Sequence, residues 1–304
     1  MVERISERSA GMVKVFAPAK INLFLAVMGK RDDGYHELCS VLGKLSIADS
    51  LEIRRKNGER GIKIKCPEYK DLETENNLAC IAVKKWLLKR GEDWGVDLIL
   101  HKQLPPMSGL GGGSSDAVSA LLAMNELGDE KLSRKEIIKM AAEIGSDCPS
   151  FLENGLCMAE GRGEMVRTIN HSAAHNLIGQ KVLLFRPNIG LSTPDVFQRL
   201  SQTNEFSSVE WVHTRLGMWE KQKISITEFL HNDLESAVFY KHRYFSAIFE
   251  KIKKTFGLAP QMSGSGSCCF VLIPDEFERV AALESLIYQA WGDDSWVKFT
   301  EIIH

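Results

Sequence analysis

Residues 107–117 read MSGLGGGSSDA, with four glycines, three serines and one aspartate in eleven positions. No other segment constrains the fold as much. It cannot fill a core, and it lies between two apolar stretches of different period. GVDLILHKQLP before it alternates like a strand; SSDAVSALLAMNELG after it has helical spacing and ends at Gly128. A strand, a glycine run and a helix in that order make an anion site. The first amides of a helix have no intrahelical partner and carry the positive end of its dipole. Glycines let the backbone approach the anion and adopt positive φ. Two familiar phosphate loops do not fit. Gly113 is followed by Ser114, where a P-loop needs lysine. The dinucleotide spacing fails from Gly109, which leads to Ser114, and from Gly111, which leads to Asp116. Alone, the loop fits a phosphate site or an unliganded flexible segment.

The rest of the chain mixes strands and helices. MVKVFAP and INLFLAVMG read as short strands separated at Pro18, and DSLEIRR and GIKIKC as half-buried antiparallel strands. NNLACIAVKKWLLKRG is a helix with Leu78, Ile81, Ala82, Trp86 and Leu87 on one face, stopped by Gly91. SRKEIIKMAAEIGSDCPSFL is a further helix, stopped by Gly145 and Pro149. Asp116 reads as a helix-start residue. After about residue 170 the pattern restarts: KVLLFRP, CCFVLI and WVKFTEII as strands, YFSAIFEKIKKTFG and EFERVAALESLIYQAWG as helices. The expectation is a two-domain α+β protein, divided as 1–170 and 171–304. Residues 1–11 read as a frayed leader before the first strand.

Composition narrows the function. With 44% apolar and 26% charged residues and a net charge of −2, the chain is ordinary for a globular protein. It has no basic stripe, so neither nucleic acid nor an anionic membrane is expected as a partner. No apolar run reaches the roughly 18 residues of a membrane span. Its seven cysteines are odd in number and form no CxxC pair, so they read as reduced thiols of a cytoplasmic protein, several of them buried, rather than as zinc ligands.

Two segments add chemistry to the loop. Lys20 lies in PAKINLFL, among apolar residues, and a buried ammonium needs a partner. Asn22 shares its strand face, the spacing being two. Asp147, in GSDCPSFL, stands where a helix has just stopped and by itself reads better as a turn residue; with Lys20 it could form a charge pair at a site. In phosphoryl transfer an aspartate can accept an alcohol proton while a lysine stabilises the developing charge.

Six segments in order then carry a resemblance over almost the whole chain. They are APAKINLFLAVMGKRDDGYHEL (17–38), LPPMSGLGGGSSDA (104–117), GSDCPSFL (145–152), EGRGE (160–164), NDLE (232–235) and MSGSGSCCF (262–270). With these the chain resembles the GHMP kinase superfamily, and within it the 4-diphosphocytidyl-2-C-methyl-D-erythritol kinases. The resemblance implies a two-domain α+β GHMP kinase fold with the active site in the cleft between the domains. It implies transfer of the ATP γ-phosphoryl group, with Mg²⁺, to the 2-hydroxyl of the cytidyl sugar alcohol, in the non-mevalonate route to isoprenoid precursors. The partner is then a small molecule, and the protein a monomer or homodimer.

Carried over by residue, the resemblance makes Asp147 the base and Lys20 its partner at the acceptor hydroxyl. Gly109, Gly111, Gly112, Gly113, Ser114 and Ser115 become the triphosphate cradle, with Ser115 a candidate magnesium ligand. Asn77 and Lys102 match positions at the adenine end, and SGSG (263–266) matches a motif that supports the phosphate loop. DGYH (33–36) marks the cytidine: Tyr35 can stack on the base and His36 can bond its edge. Phe197 matches a second stacking position, Thr193 and Asn22 lie in matched substrate motifs, and EGRGE reads as a structural turn. Met107 stands where relatives often have glycine, and Cys148 where they often have valine. Two alternatives remain: a kinase for another small alcohol, of the homoserine or mevalonate type, and a non-catalytic ligand sensor on the same fold. Tyr35, His36 and Phe197 speak against the first, and the retained Lys20 and Asp147 against the second.

Overall fold

The computed structural model describes residues 5–9 and 11–304. They form two compact units, each assembled from separate stretches of chain. One contains the described residues through Ala19, with Ile47–Pro105 and Gly111–Asn154; the other contains Lys20–Ser46, Pro106–Leu110 and Gly155–His304.

In the first unit, β1 (Ile5–Ser9) pairs antiparallel with the start of β2 (Met12–Lys30). This corrects the expectation of a frayed leader for residues 5–9; the remaining leader positions 1–4 and 10 lie outside the described residues. β2 is also one strand rather than two. Its ladder with β1 stops at Val15, before the missing N–H of Pro18 could interrupt it. The end of β3 (His36–Lys56) pairs antiparallel with β5 (Gly95–His101), whereas β4 (Ile62–Lys65) runs parallel to β5. The antiparallel reading of GIKIKC is thereby corrected. Helix α1 (Leu78–Arg90) lies between β4 and β5 in sequence and provides the long return that a parallel pair needs.

Helix α1 is capped by Asn77, which accepts the Ala79 N–H at 2.9 Å, and ends at left-handed Gly91. Its fully buried face is Ala79, Ala82, Val83 and Trp86; Leu78, Ile81 and Leu87 are only partly covered. Helix α2 (Gly112–Leu127) packs on it, and a Cβ at Gly128 would fall 2.1 Å from Trp86 Cη2, so that position has room only for glycine. Ser133 and Glu136 form a capping box on α3 (Arg134–Ile144). These helices and strands share one apolar core that includes Val15, Leu51, Trp86, Leu98, Val118 and Phe151.

In the second unit, β6 (Cys157–Gly161) pairs with the first part of β3 and with β7 (Met165–Thr168). The short α4 (Ser172–His175) precedes β8 (Lys181–Arg186). Helices α5 (Thr193–Thr203), α6 (Val209–Glu220) and α7 (Ile226–Phe229) lead to the two-residue β9 (His231–Asn232), parallel to β2 at Phe24 and Leu25. Then follow α8 (Leu234–Lys241), α9 (Tyr244–Phe256), β10 (Gln261–Met262), β11 (Cys269–Ile273), α10 (Val280–Trp291) and β12 (Trp296–Ile303). β8 lies between β11 and β12, antiparallel to both. The helix expected from Glu276 begins only at Val280. Leu183, Phe185, Phe245, Ile248, Val271 and Ile287 lie at the centre of this core. All seven cysteines are buried and none is in a disulfide. Among the described residues no helix is long and apolar enough to cross a membrane.

Candidate active site

The glycine loop turns into α2 earlier than the serines indicated. Gly111 is the N-cap, left-handed at φ 70°, and Gly112 and Gly113 already lie in the first turn. No side chain caps this helix start, so its leading amides are presented for an outside acceptor. Ser115 has no exposed surface, and its Oγ has no hydrogen-bond partner among the described residues.

Asp116 is corrected from a helix-start residue to one member of a buried charge cluster, because it lies a full turn inside α2. Lys102 Nζ donates to Asp116 Oδ2 at 2.8 Å and also to Asp49 Oδ2. Asp49 Oδ1 accepts the N–H groups of Gln103 and Leu104 at 2.6 and 2.8 Å, fixing the chain as it leaves β5. Burial pushes the Asp116 carboxyl up to about 7; Lys102 opposes this and Asp49 adds to it. Burial also works against the Lys102 charge, but Asp116 and Asp49 outweigh it and hold the ammonium above its usual range. A Cβ at Gly112 would lie 3.1 Å from Lys102 Nζ, so this cluster sits directly beneath the glycine turn. Asp147 stands at the N-cap of the 3₁₀ turn Cys148–Leu152, where its carbonyl accepts from the Ser150 hydroxyl at 2.6 Å. Burial pushes the Cys148 thiol up to about 12, with Ser114 opposing the rise. A Cβ at Gly145 would lie 3.4 Å from Cys148 Sγ and 4.0 Å from Ser114 Oγ, so the Asp147 segment lies beside the first turn of α2. Asn77 is engaged at both ends, donating to Leu72 O at 3.0 Å while it caps α1.

In the second unit, Lys20 and Asn22 are 4% and 5% exposed, and Lys20 Nζ donates to Asn22 Oδ1 at 2.6 Å. The spacing of two does place them on one face. Asn22 Nδ2 donates to Ser40 Oγ at 2.8 Å, and that hydroxyl donates to Phe24 O, so the amide orientation is fixed. The Lys20 N–H donates to Leu110 O at 2.9 Å. Gly109, at φ 77°, lies so close to the 263–266 loop that a Cβ there would fall 2.1 Å from Ser263 O. Thr193 Oγ1 and Ser265 Oγ are 2.7 Å apart.

The His36 and Phe197 rings lie 5.0 Å apart, tilted by 31°, and His36 Nε2 lies 2.7 Å from Ser201 Oγ. Burial, then the charge of Lys30, lowers the His36 pKa. Tyr35 is 54% exposed, with the Arg162 guanidinium 4.9 Å above its ring. EGRGE is indeed a turn, with Gly161 and Gly163 at positive φ, and it also supplies a cation to the Tyr35 ring of DGYH.

Two family models match: GHMP kinases N terminal domain over residues 77–155 and GHMP kinases C terminal over residues 215–291. A 4-diphosphocytidyl-2-C-methyl-D-erythritol kinase of Desulfitobacterium hafniense strain Y51 is 34% identical over 283 residues, 92% of this chain and 94% of that one. One from Syntrophomonas wolfei is 35% identical over 271 residues, 88% and 92% of the two chains. The chain belongs to the 4-diphosphocytidyl-2-C-methyl-D-erythritol kinase family. A crystal structure of a 4-(cytidine 5'-diphospho)-2C-methyl-D-erythritol kinase superposes with a TM-score of 0.74 at 29% identity, covering 95% of this chain and 99% of that one. A homoserine kinase from Cytophaga hutchinsonii reaches the same TM-score at 17% identity, covering 97% and 96%, and so shares the fold.

Within this family fold, sequence reasoning missed Asp49, Ser40 and Arg162. Each acts through a residue far away in sequence, and none carries a local signal beyond a polar residue in or beside a strand. Met107, where the resemblance leads glycine to be expected, is left-handed at φ 53°, a conformation that favours glycine.

Proposed function

We propose that this kinase transfers the γ-phosphoryl group of ATP to the 2-hydroxyl of 4-diphosphocytidyl-2-C-methyl-D-erythritol, a step in the methylerythritol phosphate route to isoprenoid precursors. The observation that carries this reading is the whole-length likeness to kinases named for that acceptor. Support comes from both units. The uncapped start of α2, with Gly111, Gly112, Gly113 and Ser114, offers amides and a hydroxyl to the donor phosphates. Asp147 receives the acceptor proton, and the Lys20 ammonium, oriented by Asn22, stabilises charge at the reacting oxygens. Magnesium, when bound with the phosphates, neutralises their charge. The partnerless Ser115 Oγ fits as its protein ligand. Among the described residues no group of three or more His, Cys, Asp or Glu side chains is placed to hold a metal.

His36 and Phe197 form one wall of the cytidine site, and Tyr35 with Arg162 forms a second surface on which a base can stack. Thr193 and Asn22 serve the same substrate. Asn77 and Lys102 belong to the adenine end. The Lys102 ammonium is engaged by two carboxylates. The division into family domains at 1–170 and 171–304 has the two family matches on either side of the cut. Seven buried cysteines without a disulfide fit a reducing, cytoplasmic location.

The test is ATP turnover with Mg²⁺ on the cytidyl sugar alcohol, beside homoserine and mevalonate. Turnover on the first alone is expected; equal rates on all three, or none on the first, would refute the assignment. In Asp147→Asn the rate should fall by about 10²–10⁴-fold with nucleotide binding retained, and normal turnover would remove Asp147 as the base.

A further inference from the structure

NDLE, residues 232–235, has no part in the chemistry above, yet its side chains converge on one loop. Asn232 is 5% exposed, and its Nδ2 donates to Met262 O and to Gly264 O, each at 2.8 Å. Its Oδ1 accepts the Leu234 N–H at 2.9 Å, so the amide is oriented with its oxygen on α8 and both protons on the loop. Glu235 Oε1 accepts the Met262 N–H at 2.7 Å. Both main-chain polar groups of Met262 are thus held from this motif. Asp233 anchors the motif to β2, accepting the Val27 N–H at 2.7 Å.

The loop so held has little regular structure of its own. Gly264 and Gly266 are at φ 56° and 76°, and β10 supplies only two residues before it. It is nevertheless pressed against the reacting groups of this unit. A Cβ at Gly264 would lie 3.3 Å from Lys20 Nζ, from Asn22 Oδ1 and from Gly109 O. Ser263 Oγ donates to Gly109 O at 3.1 Å and accepts the Asn22 N–H at 3.4 Å. Movement of this backbone by an ångström would therefore release or displace the Lys20 ammonium.

We propose that Asn232 and Glu235 are positioning residues for phosphoryl transfer, clamping loop 262–266 so that it fixes Lys20, Asn22 and Gly109. This rests on the catalytic reading of Lys20 given above. A misplacement of about 1 Å at a reacting group costs on the order of 10²-fold in rate. Asn232 supplies two of the three clamp bonds and Glu235 one, so the larger effect belongs to Asn232.

The experiment uses the full chain, with Asn232→Ala, Glu235→Ala, Glu235→Gln and, as a reference, Lys20→Met. Steady-state kinetics are read for ATP and the cytidyl acceptor, and amide hydrogen exchange at Ser263 and Gly266, well below each unfolding midpoint. Asn232→Ala is expected to lose about 10²-fold in kcat, with both KM values changed less than about threefold and exchange at the two amides faster by about tenfold or more. Glu235→Ala should show the same split with a smaller loss. Glu235→Gln, which keeps an acceptor for Met262, should recover most of the turnover. A purely structural role would lower the unfolding midpoint without this separation of kcat from KM. If Asn232→Ala does not fold, Glu235→Ala decides by the same criteria. Loss in Lys20→Met with parental kcat or parental exchange in the clamp variants overturns the clamp alone. Full turnover in Lys20→Met overturns the reading of Lys20 and the clamp's catalytic role with it.

Discussion

Lys102 and Asp116 form a 2.8 Å ion pair in which each side chain is 3% exposed, and Asp49 binds the same ammonium from the other side. Two carboxylates and one ammonium are thus buried together under the turn that begins α2. Removing the cation leaves two carboxylates in a dry site. Lys102→Met should therefore cost about 3–5 kcal/mol, read from denaturant midpoints. Asp116 has its folded pKa raised above 3.8, to about 7. Its stabilising contribution is complete below the unfolded value and is lost as pH rises to the folded value. Asp116→Asn should flatten the stability profile between about pH 4 and 7. At pH 8 it should be milder than Lys102→Met; equal losses there would contradict the account.

Gly109 is expected to tolerate no side chain. It is left-handed, and its absent Cβ would overlap Ser263 O. Left-handed backbone alone costs an alanine about 1–2 kcal/mol, and relief of the clash must move either the phosphate loop or loop 262–266. Gly109→Ala should lower turnover by on the order of 10²-fold in protein that remains folded by circular dichroism. Parental kinetics would show that the two loops can separate at no catalytic cost.

Met107 tests the opposite case, a side chain where glycine fits better. It is 59% exposed at φ 53°, so little burial offsets the strain. In Met107→Gly, relief of about 1–2 kcal/mol is set against a flexibility cost of about 0.5–1 kcal/mol. The variant should equal or exceed the parent in stability, whereas the β-branched Met107→Val should fall below it. Thermal unfolding of the three proteins ranks them.

With His36 at the acceptor, as proposed, acceptor affinity should depend on pH in a defined direction. Burial and Lys30 lower its folded pKa below 6.5, so the neutral ring is the form present at pH 7. Its contribution to stability is complete above the unfolded value and is lost as pH falls through the folded one. The acceptor KM should be flat from pH 7 upward and rise only below pH 6.5. In His36→Gln that acid rise should disappear. A KM transition above pH 6.5 that survives in His36→Gln would assign it to another group.

By itself the sequence determined the elements whose signals are local. The helical faces of α1 and α3 and the stops at Gly91 and Gly145 follow from spacings of a few residues. The alternation in β5 and the glycine run before α2 likewise announced a strand, a turn and a helix start. The ordered motifs were enough to indicate the family. Tertiary structure alone decided how β4 pairs, because a four-residue strand presents the same alternation whether its neighbour runs parallel or antiparallel. It also decided what the polar residues do. Asp49 meets Lys102 across 53 positions, Asn232 meets Gly264 across 32, and Arg162 reaches Tyr35 from another strand turn. A buried charge or amide must find a partner, but its own neighbours in sequence do not say which one. The fold makes that choice by bringing distant segments within hydrogen-bond reach.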